Sequence, residues 1–239
     1  MIELPCAGRP TLAVGKIVAV GRNFADHVRE MGGTPAAAAD PVLFLKPPSA
    51  LLLGAGAEGR CDVELPPFSR LVHHEVELVV RIGRDGRRLD RDAARAAIDA
   101  FAVGLDLTAR DLQARAKERG EPWTVAKGFD GAAPLSPLVA LDPPRPGGAP
   151  DRLARLELAL AVNGVERQRG RTADLLFPVP ELVAWISARM RLEAGDLIFT
   201  GTPAGVGLLQ PGDVAVATLA EAGGGGTLAR LEVRCRAPV

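Results

Sequence analysis

The chain has 239 residues, and its 29 lysines and arginines are balanced by 29 aspartates and glutamates. That length can bury a full hydrophobic core, and a zero net charge argues against a nucleic-acid or membrane-surface partner held by bulk electrostatics. No apolar run is long enough to span a bilayer, and Met1-Ile2-Glu3-Leu4-Pro5 has no basic-then-apolar leader pattern, so the expected location is the cytoplasm. Three scattered cysteines (Cys6, Cys61, Cys235) lack Cys-x-x-Cys spacing and read as free thiols, and three histidines are too few for a histidine-rich metal centre.

Along the chain, short strands alternate with glycine- and proline-bearing turns, and helices are few and brief. Lys16–Val20 reads as a strand closed by Gly21. Asn23 then stands where it can cap a short helix, on which His27 and Glu30 lie three apart on one face. Glycines at 21, 32 and 33 would let residues 21–33 hinge, so the segment reads as a mobile lid whose His–Glu dyad can activate water. Alone, a His-x-x-Glu pair is more often an ordinary surface pair. Val42–Leu45 is a second strand, closed by Pro47-Pro48, and loops are expected at Gly32–Asp40, Gly54–Gly59 and Asp142–Pro150.

A strand at about 73–83 carries Glu75 and Glu77 at i and i+2, hence on one face, while His74, Val76, Leu78, Val80 and Ile82 form the other. Parallel carboxylates repel unless a cation or proton lies between them. By itself the pair also fits a solvated outer face. A helix at Asp92–Ala100 precedes a strand at Phe101–Leu107. Asp106 shares its face there with Ala100, Ala102, Gly104 and Thr108, small neighbours that leave room for a pocket floor. Glu75, Glu77 and Asp106 together make a hard oxygen donor set suited to Mg²⁺ or Mn²⁺, with positions left for substrate oxygens. His73 shares the glutamates' parity and reads either as a support for such a site or as a structural histidine.

Thr108 and Asp111 have capping-box spacing for a helix at about 109–119, which presents Arg110, Gln113 and Lys117 on one side. Strands follow at Leu153–Val162, Leu197–Thr200, Val214–Leu219 and Leu228–Arg234, the last two joined through the glycines of Ala222–Gly226. Thr200, Gly201 and Thr202 open a turn whose N–H and hydroxyl groups could hold a carboxylate; a plain glycine-proline turn is the alternative. Of the basic residues only four are lysines (Lys16, Lys46, Lys117, Lys127). In so arginine-biased a chain, Lys46 and Lys127 stand out, because a lysine's compact ammonium does what arginine cannot. With no repeat or long linker, the whole of 1–239 reads as one catalytic domain of mixed α/β, β-rich class.

Seven motifs in order resemble the fumarylacetoacetate hydrolase family, in particular its short acylpyruvate-hydrolase branch that includes fumarylpyruvate hydrolases. They are Val20-Gly21-Arg22-Asn23-Phe24-Ala25-Asp26-His27, Val42-Leu43-Phe44-Leu45-Lys46-Pro47, His73-His74-Glu75-Val76-Glu77-Leu78 and Leu105-Asp106-Leu107-Thr108-Ala109-Arg110-Asp111-Leu112-Gln113. Pro122-Trp123-Thr124-Val125-Ala126-Lys127-Gly128-Phe129-Asp130, Val162-Asn163-Gly164 and Thr200-Gly201-Thr202-Pro203 complete them. The resemblance implies a β-roll of mixed sheets with peripheral short helices, homodimers, and an Mg²⁺ or Mn²⁺ ion at Glu75, Glu77 and Asp106. It also implies catalytic work at His27, Glu30 and Lys127. Phe24 departs from the tyrosine common at its position.

Both lines lead to hydrolysis of a C–C bond in a 2,4-dioxo acid, giving pyruvate and a carboxylic acid. Gln113 and the Thr200 turn would steady the substrate carboxylate, and Arg22, Arg110, Phe129 and Phe177 would line the acyl pocket. A basic lining favours a diacid such as fumarylpyruvate. The alternative is a decarboxylase or isomerase of oxaloacetate or a similar β-keto acid, using the same metal-supported enolate chemistry.

Overall fold

The computed structural model describes residues 2–30, 32, 34, 40–143 and 151–238. The expected loops at Gly32–Asp40 and Asp142–Pro150 lie largely outside them, as do residues 31 and 33 of the expected lid. In chain order come β1 (Glu3–Cys6), β2 (Arg9–Ala13), β3 (Ile17–Gly21), α1 (Ala25–Glu30), β4 (Val42–Lys46), β5 (Leu51–Leu53) and β6 (Arg60–Glu64). They are followed by β7 (Val72–His74), β8 (Val76–Ile82), α2 (Arg91–Ala97), β9 (Ile98–Leu105), β10 (Thr108–Ala109), α3 (Arg110–Arg119) and α4 (Thr124–Lys127). Then come β11 (Ala133–Leu135), β12 (Val139–Ala140), β13 (Leu156–Val162), β14 (Val165–Arg171) and α5 (Val179–Ser187). The last strands are β15 (Leu197–Phe199), β16 (Gly207–Leu208), β17 (Val214–Glu221) and β18 (Thr227–Arg236).

The fold is mixed and β-rich, with short helices outside its sheets. The largest sheet runs β4-β3-β15-β8-β9-β11-β5, with β12 added to β9; β3–β15 and β5–β11 are parallel pairs and the others antiparallel. A second sheet runs β14-β13-β17-β18-β6, and a small one joins β10, β7 and β16. Strand β8 lies at the centre of the large sheet, and all seven of its residues are buried. Burial on both faces suits its β-branched run and forces Glu77 and Arg81 inside as well. Arg81 is held by a fork of hydrogen bonds to Asp99, at 2.9 and 2.8 Å, and donates also to the Leu4 carbonyl at 2.9 Å. Strand β13 is half-buried instead, with Leu156, Leu158, Leu160 and Val162 facing the core.

Three local expectations change. The strand expected at 73–83 breaks at Glu75: β7 belongs to the small sheet and β8 to the large one, so Glu75 stands at their junction. Helix α2 ends at Ala97 with its alanine run, and β9 begins at Ile98, because Ile98, Asp99 and Ala100 continue into the strand that pairs with β8 in the central sheet. The capping box does not form. The Thr108 hydroxyl donates to the Asp106 carbonyl, and Asp111 accepts from the Ser69 hydroxyl and the Leu112 N–H. Among the described residues no helix is long and apolar enough to cross a membrane. The cysteines are free, and burial pushes the Cys61 and Cys235 thiols up to about 12.

Candidate active site

Glu75, Glu77 and Asp106 converge. One oxygen from each lies within 4.8 Å of the others, and all three side chains are buried. The break between β7 and β8 turns Glu75 toward the other two, while Asp106 follows the last residue of β9, the strand beside β8. The Gly201 N–H donates to Glu77 Oε2 at 2.7 Å. Burial first, and then the charges of Asp106 and Glu75, push the Glu77 carboxyl well above the ordinary carboxylate range. Burial acts against ionisation of Glu75 too, but the Lys127 ammonium and the Arg110 guanidinium outweigh it and hold that carboxyl well below its usual range.

Two buried lysines enter the same cluster from different elements. Lys127, the last residue of α4, places Nζ 2.9 Å from Glu75 Oε2 and 2.5 Å from Asp106 Oδ2. Lys46, the last residue of β4, donates to the carbonyls of Leu107, Lys127 and Ala132. Its Nζ also lies 2.7 Å from Asp106 Oδ1, an ion pair between two buried groups. Three buried carboxylates this close, with the charges of two opposing ionisation of the third, are what a hard divalent ion would complete. The donor set therefore fits an Mg²⁺- or Mn²⁺-type ion held by Glu75, Glu77 and Asp106.

Helix α1 brings His27 to the same cavity, with Nδ1 3.2 Å from Glu30 Oε2. Asn23 does not cap this helix. Its amide donates to the carbonyls of Phe177 and Thr200 and accepts the Phe177 N–H, which ties the start of α1 to two distant segments. Helix α3 adds Arg110 and Gln113. Arg110 Nη1 donates to Gln113 Oε1 at 2.7 Å and Nη2 to Glu75 Oε1, while its buried Nε has no partner among the described residues.

The cavity encloses about 410 Å³, counting its open mouth, and Glu75, Glu77, His27, Arg110, Gln113 and Lys127 reach it. Arg22, Lys117, Phe44, Trp123 and Thr202 line it as well. The expected carboxylate turn narrows to Thr202. Thr200 spends its hydroxyl on the Leu78 carbonyl, and Gly201 spends its N–H on Glu77. The aromatic walls are Phe44 and Trp123, not Phe129 and Phe177; Phe129 packs edge-on against Phe68 instead. No open floor lies over Gly104, because a Cβ there would meet Val79 at 2.8 Å and Phe199 at 2.9 Å. Among the described residues the His73 Nδ1 has no hydrogen-bond partner, and His74 pairs with Gln168 at 2.9 Å.

Gln168 is a supporting residue that sequence reasoning missed. It accepts from the Val76 N–H and donates to the Thr202 hydroxyl and the Pro203 carbonyl, so one buried amide fixes β8 against the Thr200 turn. It is the sole buried residue of the polar strand β14, and nothing in that strand's composition sets it apart.

A family profile described as Fumarylacetoacetate (FAA) hydrolase C-terminal matches residues 16–233. An oxaloacetate tautomerase of Escherichia coli is 43% identical over 200 residues, which cover 84% of this chain and 86% of that protein. The mitochondrial oxaloacetate decarboxylase of Dictyostelium discoideum is 43% identical over 199 residues, covering 83% and 86%. The crystal structure of fumarylpyruvate hydrolase from Pseudomonas aeruginosa, in complex with Mn²⁺ and pyruvate, is similar with a TM-score of 0.86 at 36% identity. That likeness covers 99% of this chain and 96% of that one.

Proposed function

The chain belongs to the fumarylacetoacetate hydrolase family, and from that premise we propose that it is a divalent-metal-dependent enzyme that enolises short 2-oxo dicarboxylic acids, interconverting the keto and enol forms of oxaloacetate. The observation that carries this reading is that His27, Glu75 and Glu77 share one cavity, with Asp106 clustered behind the two glutamates, and that its other charged lining, Arg22, Arg110, Lys117 and Lys127, is all cationic. The likeness to oxaloacetate enzymes over more than four-fifths of both chains supports it.

An ion at the three carboxylates would supply Lewis-acid polarisation of the 2-oxo group, with Mg²⁺ or Mn²⁺ both suited to the donors. The chain's own residues do the rest. A carboxylate only accepts, so the Glu30 contact places the His27 hydrogen on Nδ1 and leaves the Nε2 lone pair as the base. That nitrogen takes a proton from the carbon beside the 2-oxo group and delivers it to the 2-oxo oxygen, giving the enol, and the reverse transfer restores the keto form. Lys127, whose ammonium is kept protonated because Asp106 and Glu75 outweigh its burial, offsets the negative charge that develops. Arg110 and the Gln113 amide hold the adjoining carboxylate.

A second reading, C–C hydrolysis of an acylpyruvate such as fumarylpyruvate, is favoured by the same dyad acting on water and by the likeness to the fumarylpyruvate hydrolase. Side-by-side assays with Mg²⁺ separate the two. Faster oxaloacetate keto–enol exchange, followed by ultraviolet absorbance, supports the first. Consumption of fumarylpyruvate with no effect on that exchange replaces it with the second. His27→Ala is expected to lower kcat at least about 100-fold while Mg²⁺ binding persists; full turnover in that variant would remove the dyad from the chemistry.

A further inference from the structure

Four cations line the cavity, and they divide into two pairs. The inner pair is compensated: Lys127 by Glu75 and Asp106, Arg110 by Glu75 and Gln113. The outer pair, Arg22 and Lys117, has neither an ion-pair partner nor a hydrogen-bonded acceptor among the described residues. Lys117 rests with Nζ 5.3 Å from the centre of the Trp123 ring, and Trp123 is itself braced by Phe44 at 5.7 Å. Burial and the charges of Arg110 and Arg22 push the Lys117 ammonium down, as expected where cations crowd without an anion.

Arg22 is held there by the backbone. Its φ of 63° is a left-handed conformation that a non-glycine residue adopts at a cost. The neighbours maintain it: Gly21 ends β3 against Val42 and Trp123, and the next residue, Asn23, is pinned by three hydrogen bonds. Fixed from both sides, Arg22 is an exposed residue that lines the cavity. Along α3, Arg110, Gln113 and Lys117 follow one face, and the two turns between first and last span ~10 Å. The inner end of that row serves the carboxylate cluster and the outer end meets Arg22.

We propose that Arg22 and Lys117, over the Trp123 ring, form a seat for the distal carboxylate of the substrate and so select dicarboxylic over monocarboxylic 2-oxo acids. This rests on the reading that the inner end of the cavity holds the 2-oxo acid at a metal ion. The seat is the specificity element; His27 and the inner cations serve any 2-oxo acid alike.

The test uses two unreactive probes with Mg²⁺-loaded protein in a calorimeter. Oxalate needs only the inner end, whereas malate also carries a distal carboxylate. Arg22→Gln and Lys117→Gln are each expected to weaken malate about tenfold or more, with oxalate changed less than about threefold; Lys117→Arg keeps malate binding. Neither side chain is part of the buried core, so melting temperatures stay close to wild type and report that the variants fold. Equal losses for both probes, or malate binding untouched in both variants, overturns the seat while leaving the metal-end reading standing. Failure of the wild-type protein to bind oxalate overturns that reading, and the seat with it.

Discussion

The Gly205 N–H donates to the Glu30 carboxylate, 3.1 Å from Oε1, and so fixes the acid that orients His27 to the turn following β15. Gly205 has a φ of 93°, and a Cβ there would lie 2.1 Å from the Arg167 carbonyl, so only glycine presents its N–H in this way. Glu30 thus has two tasks, as a latch and as a charge partner. Glu30→Gln keeps an acceptor for Gly205 but removes the carboxylate that His27 Nδ1 contacts. We expect kcat to fall roughly 10- to 100-fold with the Mg²⁺ dissociation constant unchanged, measured by steady-state kinetics beside calorimetry. Equal loss in both would mean that Glu30 shapes the metal site instead.

Glu77 makes stability depend on pH and on metal together. Its folded carboxyl is raised above the ordinary 4.5, so the native metal-free protein binds that proton more tightly than the unfolded chain does. Its contribution is therefore present below about 4.5 and is lost as pH rises from there toward the folded value. Glu75, which is depressed, acts in the opposite sense below 4.5. Metal-free protein should lose stability through Glu77 as pH rises, and Mg²⁺ should restore it. At 100 times its dissociation constant the ion adds about 2.7 kcal/mol, or roughly 5–11 °C in Tm. Glu77→Gln is expected to melt higher than wild type without metal at neutral pH and to show no Mg²⁺ shift. Differential scanning fluorimetry across pH 5–8 reads both outcomes.

The glutamate pair and the dyad were legible because their spacing is local. His27 and Glu30 share a helix face, and Glu75 and Glu77 straddle one strand position. Asp106 was legible from its own strand, but the parity argument that placed it over open space failed: Phe199 comes from a segment nearly a hundred residues away and fills that space. The scarcity of lysine pointed to Lys46 and Lys127, and both stand at Asp106. The turn donors misled for a related reason. Thr200 and Gly201 display the right groups, but strand β8 arrives to consume them. Gln168, Phe44 and Trp123 depend on pairings between remote elements, which periodicity does not encode.

Gly104 supplies a packing test of that correction. It lies opposite Glu77 in the β8–β9 register, and an added methyl would meet Val79 and Phe199 inside 3.0 Å. Neither neighbour has slack, since both are fully buried. Gly104→Ala should destabilise the fold by about 1–3 kcal/mol through overpacking, seen as a lower urea midpoint with an unchanged m-value. An unchanged or raised midpoint would mean that room does exist above the strand.

Arg81 offers the sharpest test of what holds the central sheet together. Its side chain is fully buried, it binds Asp99 through a two-pronged contact, and its third hydrogen bond reaches the Leu4 carbonyl on β1. Arg81→Met leaves Asp99, itself partly shielded at 21% exposure, without its counter-charge and Leu4 without its donor. Breaking such a pair costs about 3–5 kcal/mol, which in a chain of this size lowers Tm by roughly 6–20 °C. Arg81→Lys keeps the charge but cannot fork, so it should fall between wild type and Arg81→Met. Arg81 does not line the cavity that holds His27 and Glu75, so turnover per folded molecule at 25 °C should be retained in both variants. A double-mutant cycle with Asp99→Asn then separates the pair from the Leu4 contact: a coupling energy below about 0.5 kcal/mol would assign the loss to β1 docking and not to the buried charges.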